Sequence, residues 1–222
     1  MLTRNKFLAD QSGFTLVEIA IVLVIIGLLL GGVLKGQELI ANAKVKNAVN
    51  DLNGVSSAYQ SYVDRFRRIP GDDGPLATLT ARVGSWAAVT ASGNNNGVLV
   101  NAAGNVFNPV AGAEGEGFWQ HLKAASLISG NPADVLVAAL PRNAFNGLIG
   151  VGTGVTGMTA TAVCISQVPG KHAAAIDTQL DDRLPNSGSV WATQGVVGAN
   201  TAPGAAAVAY SEANIYTLCR TL

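Results

Sequence analysis

From Gly13 to Leu34 the chain reads GFTLVEIAIVLVIIGLLLGGVL, apolar on every side and interrupted by one carboxylate, Glu18. As a helix this run of about 21 residues is roughly 31 Å long, enough to cross a bilayer. Further along the pattern narrows to a stripe. Val45, Ala48, Val49, Leu52, Val55, Tyr59, Tyr62, Val63 and Phe66 recur at steps of three and four, the spacing of one helix face. Asn47, Asn50, Asp51, Ser57, Gln60, Asp64 and Arg67 occupy the other face, and Pro70-Gly71 stops the pattern. The two stretches predict one helix of about 55 residues, near 80 Å long, apolar all round at first and amphipathic afterwards.

Beyond Pro70 the texture changes. Pro70–Pro75 (PGDDGP) is a turn cluster, and the chain then becomes rich in Gly, Ala, Asn and Thr. Short apolar runs predict strands at Trp86–Thr90, Gly97–Asn101, Ala160–Ser166, Ser189–Thr193, Ala206–Tyr210 and Ile215–Cys219. Asn94–Gly97 reads as a hairpin turn between the first two. Phe118–Ile128 and Lys171–Leu184 carry helical spacing. The predicted class is α+β, a long amino-terminal helix packed on an antiparallel sheet domain.

Charge adds little field: 14 basic residues balance 14 acidic ones, so no nucleic-acid partner is predicted. Arg4 and Lys6 precede the apolar run while Lys35, Lys44 and Lys46 follow it, which leaves orientation open by charge alone. Glu18 is different. An ionisable residue inside a membrane span costs at least about 2.5–3.5 kcal/mol on insertion scales, so such residues usually have a function and a partner.

Candidate chemistry elsewhere is sparse. His121 and His172 lie far apart on the predicted short helices, outside any nucleophile or zinc motif, and no catalytic residue is assigned. Asp177, Asp181 and Asp182 gather three carboxylates near the end of one short helix, and Asp72-Asp73 makes a second acidic pair. Hard oxygen ligands suit calcium, but no EF-hand spacing is present, and solvated or turn-capping aspartates are the ordinary alternative. No other cofactor is expected. Arg65, Arg67 and Arg68 form the basic cluster; cations in the last turn of a helix complement its dipole.

The polar leader ending in Gly13, then Phe14, Thr15-Leu16-Val17-Glu18 and the long apolar helix resemble the amino-terminal signal of type IV prepilins and type II secretion pseudopilins. The resemblance covers about Ser12 to Ile40. It implies cleavage between Gly13 and Phe14 by a prepilin peptidase that also methylates the new amino terminus at Phe14. It casts Glu18 as the assembly residue that meets the terminal amine of a neighbouring subunit. A buried carboxylate facing an ammonium costs far less than either charge alone, and a glycine before the cut leaves the backbone open to the protease.

The implied organisation is a leader at 1–13, a transmembrane and assembly helix at 14–34, an amphipathic spine at 35–69 and an external α+β domain at 70–222. The precursor would cross the inner membrane once, with its carboxyl domain periplasmic, and pass to a cell-surface filament. Its partners would be the peptidase, identical or related pilin subunits, the inner-membrane assembly platform and the membrane itself. In an exported domain Cys164 and Cys219 are expected to form one disulfide closing a loop of about 54 residues, worth roughly 4 kcal/mol; two buried thiols are the alternative. Many type IV pilins kink this helix with a proline where Lys35 stands here, so pilin and pseudopilin both remain open. From another class, a membrane-anchored periplasmic enzyme or binding protein is the rival.

Overall fold

The computed structural model describes Gly13 and residues 15–222. Arg4, Lys6, Asp10 and Phe14, and with Phe14 the cleavage bond and methylation position, lie outside the described residues. The chain divides into two units, the first reaching Asn42 and the second running from Ala43 to Leu222.

Helix α1 spans Leu16–Phe66. In its first-unit portion the large apolar side chains are all solvent-exposed, from Leu16 to Ile40. Its second-unit portion is amphipathic: Val45, Ala48, Leu52, Val55, Ala58 and Tyr62 are buried, while Asn47, Asn50, Ser57, Gln60 and Asp64 face solvent. The helix stops at Phe66, four residues before Pro70, because Arg67 turns left-handed at φ 53°.

Two expected strands are absent here, and side-chain acceptors take N–H groups that a ladder would have used: Gln120 that of Thr90, Asp72 that of Gly97 and Glu114 that of Val100. Asp72 and Asp73 are each only 2% exposed. Asp72 accepts the N–H groups of Asn96 (3.1 Å) and Gly97 (2.8 Å), so Asn94–Gly97 wraps around a carboxylate and forms no hairpin. Trp86–Thr90 falls largely within a 3₁₀ turn at Gly84–Ala88. In Gly97–Asn101 burial does alternate, with Leu99 and Asn101 inside. Yet Val100 N–H goes to the Glu114 carboxylate (2.5 Å) and no ladder forms there. Gly71 permits this packing: at φ 91°, a Cβ would meet Glu114 O and Leu99 Cδ1, each at 2.5 Å.

Short helix α2 covers Leu76–Thr80, and α3 covers Glu114–Ala124, earlier than the predicted Phe118–Ile128. All eleven residues of α3 are buried. Glu114 and Glu116 in its first turn and Lys123 in its last match the helix dipole. Ser126, left-handed at φ 59°, follows its end.

The sheet is antiparallel, in the order β1 (Ile149–Gly152), β2 (Ala162–Pro169), β5 (Ile215–Thr221), β4 (Val190–Gly195), β3 (Asn186–Ser187). β2, β4 and β5 coincide with three expected strands. The expected strand at Ala206–Tyr210 is not one; Ala207 N–H bonds Ala192 O (2.8 Å) without extending a ladder. β1 had not been expected, since strands seldom contain two glycines in four residues. Gly150 is required there, because a Cβ would sit 2.1 Å from Val106 O. Helix α4 (Gly170–Leu180) links β2 to β3 and ends before the predicted Leu184, where Asp181 leaves helical geometry. Trp119, Tyr62, Tyr216 and Phe118 are the largest fully buried side chains. Cys164 and Cys219 stand opposite each other on β2 and β5 and are bridged.

Candidate assembly segment

Helix α1 begins with a reciprocal pair. The Thr15 N–H and hydroxyl both donate to Glu18 Oε2, at 2.9 and 3.0 Å, and Glu18 N–H donates to Thr15 Oγ1 at 3.2 Å. This is a capping box, in which two donors left orphaned by the first helical turn are satisfied by side chains three residues apart. Thr-x-x-Glu ahead of an apolar run was the readable signal for it, and the reading of Glu18 as a contact to another subunit overlooked this role within the chain. The two Thr15 donors fall on one oxygen of the carboxylate, Oε2, so the cap does not preclude a further partner on the other.

Even with Glu18 in it, the start of the helix contains an 18-residue window of mean hydropathy 2.8, none of it buried. At about 25 cal/mol per Å² of apolar surface, leaving such a face in water is strongly unfavourable. Lipid or other apolar helices relieve that cost. Nothing encloses Gly27, Gly31, Gly32 or Gly36, and α1 continues unbroken through Lys35, which pairs with Glu38 at 2.8 Å on the exposed surface.

The other candidate residues all lie in the second unit. Carboxylate oxygens of Asp177, Asp181 and Asp182 come within 4.8 Å of one another. Each carboxylate already serves its own turn. Asp177 accepts the Tyr210 hydroxyl (2.7 Å) and Arg183 N–H (3.3 Å), and Asp181 accepts the N–H groups of Ser189 and Val190. Asp182 accepts Leu184 N–H (2.9 Å) and the Ser187 hydroxyl (2.6 Å). Burial pushes the Asp177 carboxyl above its ordinary range. The oxygen spacing would suit a shared cation at 2.3–2.6 Å from each ligand, but the hydrogen bonds account for the cluster without one.

The basic cluster is divided among local contacts. Arg65 reaches Ala125 O at 3.5 Å and lies over the Phe66 ring, and Arg67 sits 3.9 Å from Asp64. Asp73 binds the Tyr62 hydroxyl (2.7 Å) and Arg82 (2.8 Å), tying the end of α1 to the loop that follows. His121 is fully buried. Its Nδ1 accepts Gly71 N–H at 2.9 Å, so Nε2 carries the proton toward Ala91 O at 3.0 Å. Burial lowers its pKa to about 4. It is a neutral structural brace. His172 packs against Phe145, with burial first and then Lys171 and Lys44 depressing its pKa.

Residues 8–34 match the family model described as the prokaryotic N-terminal methylation motif. No curated protein and no solved structure matches the chain. The matched stretch contains the Thr15–Glu18 box and the uncovered apolar start of α1. The chain thus carries a prepilin-type signal. Such a signal marks a precursor of the pilin or pseudopilin kind, processed by prepilin peptidase and assembled with related subunits.

Proposed function

We propose that this chain is a structural subunit of a type IV pilus-like filament, cut after Gly13, methylated on Phe14 and assembled through the apolar start of α1. The observation that carries this reading is the union of the methylation motif at 8–34 with a helix whose amino-terminal apolar stretch is wholly uncovered. Glu18 would meet the methylated amine of an adjacent Phe14, and its charge would set the register between subunits, as a buried polar pair can. The second unit would remain outside the membrane, decorating the filament. A type II secretion pseudopilin is the second reading, favoured by the absence of a proline kink at Lys35. Asp177, Asp181 and Asp182 are assigned to turn capping; calcium is not part of the proposal.

Processing and assembly are tested together. Mass spectrometry of the mature protein should find Phe14 at the amino terminus with one methyl group added. Glu18→Val removes both cap and charge, whereas Glu18→Gln keeps a capping side chain and removes the charge. Co-expressed with wild type and recovered by shearing, both variants should be depleted in filaments relative to membranes by at least roughly tenfold. Normal incorporation of Glu18→Gln would reduce Glu18 to a cap. An uncut amino terminus, or no filaments from wild type, would favour the membrane-anchored enzyme or binding protein.

A further inference from the structure

Both ring nitrogens of His172 are shielded from solvent, and neither has a hydrogen-bond partner among the described residues. Buried polar atoms are nearly always paired, so two orphans on one ring need a reason. A neutral imidazole tolerates the position with one N–H unsatisfied. An imidazolium would bring a second unsatisfied N–H and a desolvated charge, which is far more costly.

The surroundings add to that cost. His172 is the third residue of α4, whose amino end has no side-chain cap and no acidic residue in its first turn. The positive pole of the helix dipole is therefore unopposed beside the ring. Lys171 acts on it from α4 and Lys44 from α1; among the described residues, the charges that bear on the ring are these two cations. Burial first, and then the two lysines, hold the imidazole below its ordinary 6.5, so at neutral pH it is uncharged. Across from it stands Phe145, with 5.2 Å between ring centroids. Arg142, on the turn that carries Phe145, is directed to Asn146 O at 3.2 Å.

The backbone under both rings is fixed. Gly170 N–H is bonded to Asn214 O (2.8 Å), and a Cβ on Gly170 would meet Ser211 O at 1.8 Å. On the other side Asn143 Oδ1 accepts the N–H groups of Phe145 (2.8 Å) and Gly147 (3.2 Å), while its amide donates to Ser166 O (2.8 Å). What is free to change is the pairing of the two rings.

We infer that His172 is an acid-sensitive latch: neutral, its ring seats against Phe145, and protonated, it swings out to water and uncovers that aromatic. The seated ring resists the proton and the released ring takes it up at the ordinary 6.5. The ratio of released to seated form therefore rises as pH falls below that value, by up to about tenfold per pH unit. Acid would thus make this surface of the second unit more aromatic and more basic at once, as a histidine switch can. The inference is independent of filament assembly.

The test follows the imidazole Cε1–H signals of the full chain in detergent micelles by NMR, from about pH 8 to about pH 4. The signal missing from His172→Asn is that of His172. Its midpoint is expected below 6.5, and its cross-relaxation with the Phe145 ring should be lost over the same pH interval. Phe145→Ala removes the seat and should move the midpoint up toward 6.5, and Lys44→Gln should also raise it. Thermal unfolding at neutral pH checks each fold, and the exposed Lys44 position decides the matter if Phe145→Ala does not fold. A midpoint at or above 6.5, ring contacts that persist through the titration, or a midpoint indifferent to Phe145→Ala and Lys44→Gln would overturn the latch.

Discussion

The two portions of α1 share one backbone geometry and differ in what they ask of their surroundings. From Leu16 to Asn42 the helix has apolar residues on every side and they stay exposed. From Ala43 to Phe66 the apolar residues fall on one stripe and the rest of the second unit covers it. Helix propensity explains neither pattern. The second portion is stabilised by its own chain, whereas the first must draw on lipid or on other chains.

The largest expected effect bears on the second unit alone. Reducing the Cys164–Cys219 bridge, which spans 55 residues of sequence, should lower its stability by about 4 kcal/mol in the loop-entropy model. Denaturant titration of the full chain in micelles, with and without reductant, measures this. The helicity of the Leu16–Asn42 portion should survive; its joint loss would mean that the two portions are not energetically separate.

A matched pair of truncations sharpens the contrast. Leu52 is 1% exposed and Leu28 73% exposed on the same helix. Leu52→Ala should cost about 3 kcal/mol through lost burial and a residual cavity, and Leu28→Ala within about 0.5 kcal/mol in the same micelles. Similar costs at both positions would erase the distinction.

The pH dependence is the finest test. His121 binds its proton less readily when folded, with a pKa of about 4 against an ordinary 6.5. Between those values the unfolded chain holds more protons, so stability falls as pH drops. The slope attributable to His121 approaches about 1.4 kcal/mol per pH unit. Asp177 and Glu114, raised mainly by burial, act in the opposite direction. The His121 contribution is therefore read as the difference between wild type and His121→Gln, in denaturant midpoints from pH 7 to pH 4. An unchanged slope in the variant would remove His121 as the cause.

What was legible in the chain followed from pattern that local physics alone sustains. The α1 stripe and the β-branched runs of β2, β4 and β5 carry their period openly. Segment 97–101 carries a strand's alternation too, but Val100 N–H turns to the Glu114 carboxylate, and the Thr153 N–H that reaches Asn101 O (2.7 Å) extends to no ladder. β1 was hidden because its glycines answer to Val106, distant in sequence. Asp72 and Asp73 looked like a solvated turn, yet their partners lie as far off as Asn96, Gly97 and Tyr62. At the assembly segment the opposite held. Thr15 and Glu18 are three residues apart, and their mutual cap was readable from spacing alone.

The position of β5 has a consequence in time. It is the last of the five strands in chain order, yet it lies in the middle of the sheet, between β2 and β4. A chain delivered amino end first presents β1 with β2 and β3 with β4 as two ribbons that share no edge. Residues from Ile215 onward must arrive before those ribbons join, and only then does Cys219 reach Cys164. Oxidation of that pair is a timestamp, recording that the sheet has closed.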